Sequence, residues 1–182
     1  MAIQPKLTTA RLMIRPFDPS DAAEVQRLAA DRSVADTTLS IPHPYLDGMA
    51  EAWIATHAPG FEAGTLANFA ITLRSSGELV GAAGLVIERS ADRAELGYWI
   101  GAASRNLGYC TEAARAVIDF GFQNLELNRI FAHHFKRNPA SGRVMQKLGM
   151  RPEGLQLQHV KKWDRYEDVV LYGLVRSAWR RA

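Results

Sequence analysis

Arg105-Asn106-Leu107-Gly108-Tyr109-Cys110 is the segment from which both a fold and a ligand can be inferred. It follows a run typical of a β-strand, Leu96-Gly97-Tyr98-Trp99-Ile100-Gly101, and precedes a helical pattern that begins near Tyr109. Where a tight loop leads from a strand into a helix, several backbone N–H groups have no intrahelical acceptor, and the positive end of the helix dipole lies beside them. Phosphate groups bind at such helix starts, and small residues let them approach the backbone. The segment therefore predicts a site for a phosphate-bearing cofactor; Gly108 alone would be better explained as a turn glycine, and Arg105 together with the second helix start favours phosphate binding.

The composition indicates one globular domain spanning residues 1–182, with a core from about residue 11 to about residue 175. The chain is 47% hydrophobic and 23% charged, and its single cysteine excludes an internal disulfide and fits a reducing compartment. We find no apolar run of bilayer length and no signal-peptide pattern, so we expect a cytoplasmic protein with no membrane partner. Acidic and basic residues are interspersed and the net charge is only +3, which argues against direct nucleic-acid binding.

Runs typical of strands alternate with helical patterns along the chain. Strands are predicted at residues 11–17, 68–73, 79–87, 95–101, 129–135, about 150–160 and 168–175. Helices are predicted after Asp18-Pro19-Ser20-Asp21, after a capping Asp47, from Tyr109 and from Asn138-Pro139. The order predicts a mixed α/β fold of about six to seven strands, with antiparallel strands early, one strand–helix–strand unit in the middle and a late hairpin.

The strand–helix–strand unit from Glu95 to Phe135 should be a right-handed crossover that joins two parallel strands. Both strands then end at the same edge of the sheet, and each is followed by a helix start, one near Gly108 and one at Asn138. Ligands of open α/β sheets bind outside the carboxyl ends of the strands. We therefore expect the two helix starts to flank one site, to which the second contributes the amide of Asn138 and the hydroxyl of Ser141.

The ordered set of motifs resembles the GNAT superfamily of N-acetyltransferases, and more narrowly the Rim-type group that acetylates the N-termini of ribosomal proteins. The superfamily's pyrophosphate motif, Gln/Arg-x-x-Gly-x-Gly/Ala, appears here as Arg105-x-x-Gly108-x-Cys110. The other similar segments are Glu95-Leu96-Gly97-Tyr98-Trp99-Ile100-Gly101, Leu127-Asn128-Arg129-Ile130, Asn138-x-x-Ser141, Lys147-Leu148-Gly149-Met150 and Ile41-Pro42-x-Pro44-Tyr45.

This resemblance implies acetyl-coenzyme A as the acetyl donor, no metal, and a sheet whose two central parallel strands splay apart at the cofactor. The backbone N–H groups of Asn106, Leu107, Gly108, Tyr109 and Cys110 would then hold the pyrophosphate, with Arg105 and Asn138 nearby. The strand Tyr98-Trp99-Ile100 would pair its backbone with the pantetheine arm. The acetyl group would pass directly from the thioester to an amine.

Two positions depart from the family pattern. Cys110 stands where the family usually has Gly or Ala; it is expected to be a small buried thiol, and the alternative is an exposed thiol of lowered pKa. Met145 stands where many members have a tyrosine that protonates the leaving thiolate. Rim-type proteins carry a serine at the position of Ser141, so Ser141 is the candidate acid, and a packing role is the alternative.

Glu95 is the candidate general base, acting through water, because its strand should border the thioester. The alternative is a salt bridge with a neighbour such as Arg93, and Glu112 is a weaker candidate because a carboxylate in a first helical turn is favourable anyway. His133 and His134 are adjacent on a strand, so they point to opposite faces and are not expected to share a metal. His43 and Tyr45 are placed by the resemblance at the acceptor entrance, and an ordinary surface loop is the alternative.

Three functions remain open from the sequence. An unperturbed lysine has a pKa of roughly 10.4 and an α-amine one of roughly 7.7–8.0, which favours an N-terminal α-amine of a protein or peptide as acceptor. A polyamine or aminoglycoside acceptor would need more acids than Asp36, Asp47 and Glu51 at the entrance. The missing tyrosine at Met145 also leaves a non-catalytic acyl-coenzyme A-binding module open, and the exposed late hairpin leaves a homodimer open.

Overall fold

The computed structural model describes residues 3–180 as one mixed sheet of eight strands with helices on both faces. The strands are β1 (Leu7–Thr8), β2 (Leu12–Arg15), β3 (Leu66–Leu73), β4 (Leu79–Glu88), β5 (Arg93–Ile100), β6 (Arg129–Phe135), β7 (Arg151–Lys162) and β8 (Arg165–Val175). The helices are α1 (Ala22–Ala29), α2 (Arg32–Ala35), α3 (Met49–Ala55), α4 (His57–Glu62), α5 (Tyr109–Gln123) and α6 (Pro139–Lys147).

The strand order is β1-β2-β3-β4-β5-β6-β8-β7, and β5 with β6 is the parallel pair. This arrangement confirms the predicted mixed α/β sheet with a crossover between two central parallel strands. The sheet exceeds the expected strand count because the short β1 adds an edge strand that its sequence does not announce.

The two faces of the sheet carry different helices. On β3, Phe69 and Ile71 belong to the core under α5, where the rings of Phe69 and Phe120 lie 5.6 Å apart. Ala70, between them, faces the opposite side and packs with Val25 of α1 and Ile54 of α3. This alternation follows the period of two of a strand, and it places α5 and α6 on one face and the early helices on the other.

The parallel strands diverge soon after they meet. Their ladder consists of Arg93↔Arg129, Ala94↔Ile130 and Glu95↔Phe131. Beyond Glu95, β5 stays paired with β4 as far as Ile100, and β6 stays paired with β8 as far as Phe135. Within residues 3–180, the facing backbone edges of the two strands therefore have no partner strand along the rest of their length. The splay implied by the family resemblance is present.

Some local predictions were wrong or incomplete. Asp47 does not cap α3; Gly48 occupies that position with φ of +84°, and no side chain caps the helix. The helices α2 and α4 were not predicted, because they are only four and six residues long and owe their stability to packing rather than propensity. Among the helices of residues 3–180, none is long and apolar enough to cross a membrane.

Candidate active site

The loop that leads into α5 presents a row of free backbone donors. Gly108 is the N-cap of α5 with φ of +82°, and Asn106 also has a positive φ of +63°. No N–H group of residues 106–110 donates a hydrogen bond to another group of residues 3–180. Asn106, Leu107 and Gly108 are exposed, so these donors are accessible to a ligand. The local geometry is the anion-binding geometry that the sequence predicts.

Arg11 holds this loop in place. Its guanidinium donates to the carbonyl oxygen of Leu107 at 2.9 Å, and its Nε donates to Oε2 of Glu112 at 2.7 Å. The same guanidinium lies 4.7 Å from the centroid of the Tyr109 ring. Burial raises the pKa of Glu112, but hydrogen bonds from Thr9 and Arg11 outweigh it and leave the pKa below its ordinary value. Glu112 is therefore committed to the loop's support rather than to proton transfer.

Cys110 is partly buried against the core at the start of α5. Burial raises the pKa of its thiol to about 12, which favours the neutral thiol. The alternative of an exposed thiol with a lowered pKa is wrong, because the side chain is partly buried and desolvation raises its pKa.

A cavity of about 640 Å³ opens where β5 and β6 diverge. Of the predicted site residues, it brings together Glu95, Tyr98, Trp99, Ser141 and Tyr45. The predicted residues outside its lining are His43, Ile100, Asn138 and the loop from Arg105 to Cys110. His43 is exposed and lies with its ring centroid 6.4 Å from that of Trp163. The loop from Arg105 to Cys110, with its free N–H groups, thus forms a surface at the start of α5 that does not line this cavity.

Tyr98 and Ser141 meet on the α6 side of the cavity. The phenol oxygen of Tyr98 lies 2.9 Å from Oγ of Ser141 and 3.1 Å from its carbonyl oxygen. Burial is the main cause that raises the pKa of Tyr98, with a smaller contribution from the Cys110 thiol, so the phenol stays protonated. Its position on the strand indicated a backbone role for Tyr98, and the role of its hydroxyl was not predicted.

Glu95 and His133 meet on the other side of the cavity. Oε1 of Glu95 lies 3.2 Å from Nδ1 of His133, and both side chains are partly exposed. The predicted alternative, a salt bridge between Glu95 and Arg93, is wrong, because Arg93 binds Glu88 at 2.7 Å. His134 instead packs on Tyr172, with ring centroids 5.7 Å apart.

The start of α6 has the predicted capping geometry. Oδ1 of Asn138 accepts a hydrogen bond from the backbone N–H of Ser141 at 3.4 Å, which orients the first turn. Met145, one turn later, is buried with 1% of its surface exposed. Neither Asn138 nor Met145 supplies a hydroxyl, so Ser141 and Tyr98 carry the O–H groups on this side.

The opposite wall of the cavity is the loop that follows α2. Lys162 is 4% exposed, and its ammonium donates to the carbonyl oxygens of Leu39 at 3.1 Å and Ile41 at 2.7 Å. Asp36 is paired with Arg137 at 2.9 Å and with Arg165 at 3.3 Å. The β7–β8 hairpin therefore fastens this wall.

Carboxylates are scarce in the cavity. Among the described residues that line it, Glu95 is the only Asp or Glu. Glu51 lines a second, smaller cavity, and Asp36 is consumed by its two arginine partners. Residues 3–180 also contain no group of three or more His, Cys, Asp or Glu side chains placed to hold a metal ion.

Known proteins share this sequence pattern and this architecture. Residues 11–151 match the model of the acetyltransferase (GNAT) domain. The uncharacterized N-acetyltransferase YnaD of Bacillus subtilis is 29% identical over 174 residues, which cover 95% of this chain and 98% of YnaD.

The chain belongs to the GNAT acetyltransferase family.

Two further proteins that are similar to this chain are acetyltransferases of ribosomal proteins. The [ribosomal protein uS5]-alanine N-acetyltransferase of Escherichia coli is 29% identical over 104 residues, covering 56% of this chain and 54% of that protein. The structure of RimL, a ribosomal L7/L12 α-N-protein acetyltransferase in complex with coenzyme A, has a TM-score of 0.87 and 16% identity, covering 94% of this chain and 98% of that one. At this identity the likeness to RimL establishes the fold.

GNAT acetyltransferases use acetyl-coenzyme A, and the residues present fit that molecule. The free N–H groups of residues 106–110 suit its diphosphate, and Arg105 forms no ion pair within residues 3–180 that would compete for an anion. The open edge of β5 beyond Glu95 offers backbone groups to its amide-bearing arm. The additional Cβ and sulfur of Cys110 lie in partly buried space, so this departure from Gly or Ala does not fill the exposed part of the loop.

Sequence reasoning missed three groups in this site: Arg11, the hydroxyl of Tyr98, and His133 as a partner of Glu95. A faint signal existed for His133, because period-two alternation places it on the same strand face as Phe131, which pairs with Glu95. Gly97 is a further position whose role the motif does not indicate. A Cβ at Gly97 would meet nothing within 4 Å, so this residue keeps open the part of the cavity between Glu95 and Trp99.

Proposed function

We propose that this GNAT enzyme transfers the acetyl group of acetyl-coenzyme A to the N-terminal α-amine of a protein or peptide. The observation that carries the proposal is the charge of the acceptor cavity, in which Glu95 is the only carboxylate among the described lining residues. A single carboxylate suits an acceptor with one ammonium group. A polyamine or an aminoglycoside carries several cations, and each would have to lose water without a matching anion.

The rest of the cavity suits a peptide end. Its lining is mainly apolar and aromatic, with Trp53, Trp99 and Tyr45, and hydroxyl groups come from Thr37, Thr38 and other small residues. Side chains of this kind bind apolar residues and peptide groups. The relative that acetylates an alanine of ribosomal protein uS5 has a protein acceptor, and its similarity to this chain supports a protein or peptide acceptor here.

The proposed reaction is a direct transfer. The α-ammonium loses a proton on the side of Glu95, and the neutral nitrogen attacks the thioester carbonyl carbon to form the C–N bond. The C–S bond then breaks, and its electron pair goes to sulfur. The nitrogen loses its second proton, and the sulfur takes up one through Ser141, which makes the products an amide and free coenzyme A.

In this proposal Ser141 and Tyr98 act as a pair. The phenol oxygen of Tyr98 lies 2.9 Å from Oγ of Ser141, and in the proposed step the phenol donates to Oγ as the serine proton passes to the thiolate. The phenol thus enters from β5, because Met145 of α6 has no proton to give. This arrangement makes the missing tyrosine compatible with turnover and opposes the non-catalytic alternative.

Mass spectrometry of a peptide panel with acetyl-coenzyme A tests the acceptor. We expect acetylation at free N-terminal amines and none on matched peptides whose N-terminus is blocked and whose only amine is a lysine. Spermidine and an aminoglycoside should compete poorly with the peptides. Faster acetylation of spermidine than of any peptide would contradict the proposal.

A further inference from the structure

We propose that the imidazole of His133 is the group that takes the proton from the acceptor amine, and that Glu95 positions His133 rather than acting through water. This inference rests on the proposed function, because it assigns the base for that same amine. The structure supports it through the placement of both side chains in the acceptor cavity with 3.2 Å between Oε1 of Glu95 and Nδ1 of His133.

The position of the pair follows from the diverging strands. Glu95 is the last residue of β5 that pairs with β6, and His133 lies two residues beyond its partner Phe131 on the same strand face. At this point the gap between the strands begins, so the pair stands at the junction of the acceptor cavity and the space for the thioester. A base must be within hydrogen-bond reach of the amine as it attacks, and both side chains line the cavity in which the proposed acceptor would lie.

The contact with Glu95 also sets the chemistry of the ring. A carboxylate beside Nδ1 favours the tautomer that carries its proton on Nδ1, which leaves the lone pair on Nε2. Within residues 3–180, Nε2 of His133 has no hydrogen-bond partner. The same carboxylate stabilises the imidazolium that forms when Nε2 takes the amine proton.

The ordinary pKa values of the groups favour imidazole over carboxylate. An α-ammonium has a pKa of about 7.7–8.0, an imidazole about 6.5 and a glutamate about 4.3. As classes of group, imidazoles are therefore closer in basicity to an α-amine than carboxylates are. An imidazole is the better match for a reaction near neutrality.

Most of the other ionisable groups around Glu95 and His133 are directed away from the pair or are paired with other residues. The other ionisable groups of the cavity lining are Tyr45, Tyr98 and His134. Nδ1 of His134 lies 2.8 Å from the carbonyl oxygen of Phe135, and His134 packs under α6 on the other strand face. Along the strand face of Glu95 and His133, Arg93 is paired with Glu88 and Arg129 with Glu153.

Kinetics of His133→Ala test the assignment, with His159→Ala on the exposed edge strand β7 as the control. We expect His133→Ala to lower kcat/KM for the peptide amine by about 100-fold or more while coenzyme A affinity stays unchanged by calorimetry. Added imidazole should restore a large part of the loss in His133→Ala and none in His133→Phe, whose ring fills the space. Full turnover by His133→Ala, or a loss that imidazole does not rescue, overturns the proposal.

A measurement that needs no turnover tests the role of Glu95 independently of the proposed acceptor. Nitrogen NMR of His133 in the coenzyme A complex should show the Nδ1-protonated tautomer in the wild type and a mixture of tautomers in Glu95→Gln. A protonated Nε2 in the wild type overturns the inference whatever the acceptor. Absence of peptide acetylation with activity on small amines overturns the proposed acceptor, and the His133 variants are then judged on those amines.

Discussion

The phenol oxygen of Tyr98 lies 2.9 Å from Oγ of Ser141, and this contact joins the diverging end of β5 to the first turn of α6. It places the hydroxyl of Ser141, from the second of the two predicted helix starts, beside the strand that precedes the first. The contact also turns a strand tyrosine into a part of the proposed acid, because a buried phenol with a raised pKa remains a hydrogen-bond donor throughout the working pH range.

Removal of either hydroxyl should slow acetyl transfer without weakening donor binding. We expect Ser141→Ala to lower kcat by about 100-fold, the low end for loss of an acid, and Tyr98→Phe by about tenfold, the value of one hydrogen bond. Steady-state kinetics at saturating acetyl-coenzyme A measure both. Tyr166→Phe, which removes an exposed phenol, is the control. Full kcat in Ser141→Ala would remove Ser141 from the mechanism.

Gly108→Val should act on the donor instead. Gly108 has φ of +82°, and a Cβ there would lie 3.2 Å from Nη2 of Arg11, the side chain that supports the loop. A side chain at positive φ costs about 1–2 kcal/mol, and a branched one also crowds the phosphate approach, so we expect coenzyme A affinity to fall at least about tenfold in calorimetry. Gly149→Val imposes the same backbone cost at φ of +81° beyond α6 and should leave that affinity unchanged.

Gly97→Val should narrow the acceptor cavity without straining the protein. A Cβ at Gly97 meets nothing within 4 Å, and the residue lies between Glu95 and Trp99 on one face of β5. We expect a higher KM for the peptide, an unchanged dissociation constant for coenzyme A and an unchanged melting temperature. Gly154→Val, in a similarly open position on β7, is the control. An unchanged peptide KM would show that the acceptor does not pass Gly97.

Lys162→Met should loosen the wall formed by the loop after α2. The ammonium group of Lys162 donates to the carbonyl oxygens of Leu39 and Ile41, and methionine keeps much of its length without the donors. We expect peptide KM to rise by about tenfold, consistent with the loss of hydrogen bonds from a charged group, while donor affinity is retained. Lys161→Met removes an exposed neighbour and serves as the control. A change in donor affinity alone would contradict this role.

The free energy of unfolding should decrease as the pH is lowered from 6.5 towards 4, because of His57. Burial lowers the pKa of His57 to about 4, from an ordinary value of 6.5. Above pH 6.5 the histidine is neutral in both states; below it the unfolded chain takes up a proton that the folded protein accepts only near pH 4, so acid favours unfolding. The full difference is about 3 kcal/mol.

Urea unfolding between pH 7 and pH 4 measures this effect. Other groups also titrate in this range, so the comparison is between the slopes of the wild type and His57→Gln, which keeps a polar group beside Asn68 but cannot take up the proton. We expect a shallower loss of stability in His57→Gln than in the wild type and in His159→Gln. Parallel slopes in all three proteins would show that the pKa of His57 is the same in the folded and unfolded states.

The elements with local signals could be predicted from the sequence. Asn138 and Pro139 specify the start of α6 by themselves, since one supplies a capping oxygen and the other a fixed φ at the first helical position. The strand β6 has the predicted bounds, and Ile130, Phe131, Ala132 and Phe135 supply its apolar residues. The prediction that Asp47 caps α3 was wrong, because the next residue, Gly48, adopts the left-handed conformation and occupies the N-cap position.

The contacts that complete the site have no local signal. Arg11 and Glu112 are 101 residues apart, and Lys162 is 123 residues from Leu39. Such pairs depend on how the sheet folds, and any of several cations and carboxylates would have satisfied the sequence equally well. The partner of Glu95 also has no local signal, because it depends on which residue of β6 lies opposite Glu95 where the two strands diverge.

The short ladder between β5 and β6 has a consequence for the order of events in catalysis. Among the strand pairings of residues 3–180, only the register from Arg93 to Glu95 joins the first five strands to the last three, so the sheet itself does not set the distance across the mouth of the cavity. A donor lodged between the two halves would act as a spacer that sets this distance. An enzyme built in this way should take up acetyl-coenzyme A first and the amine second.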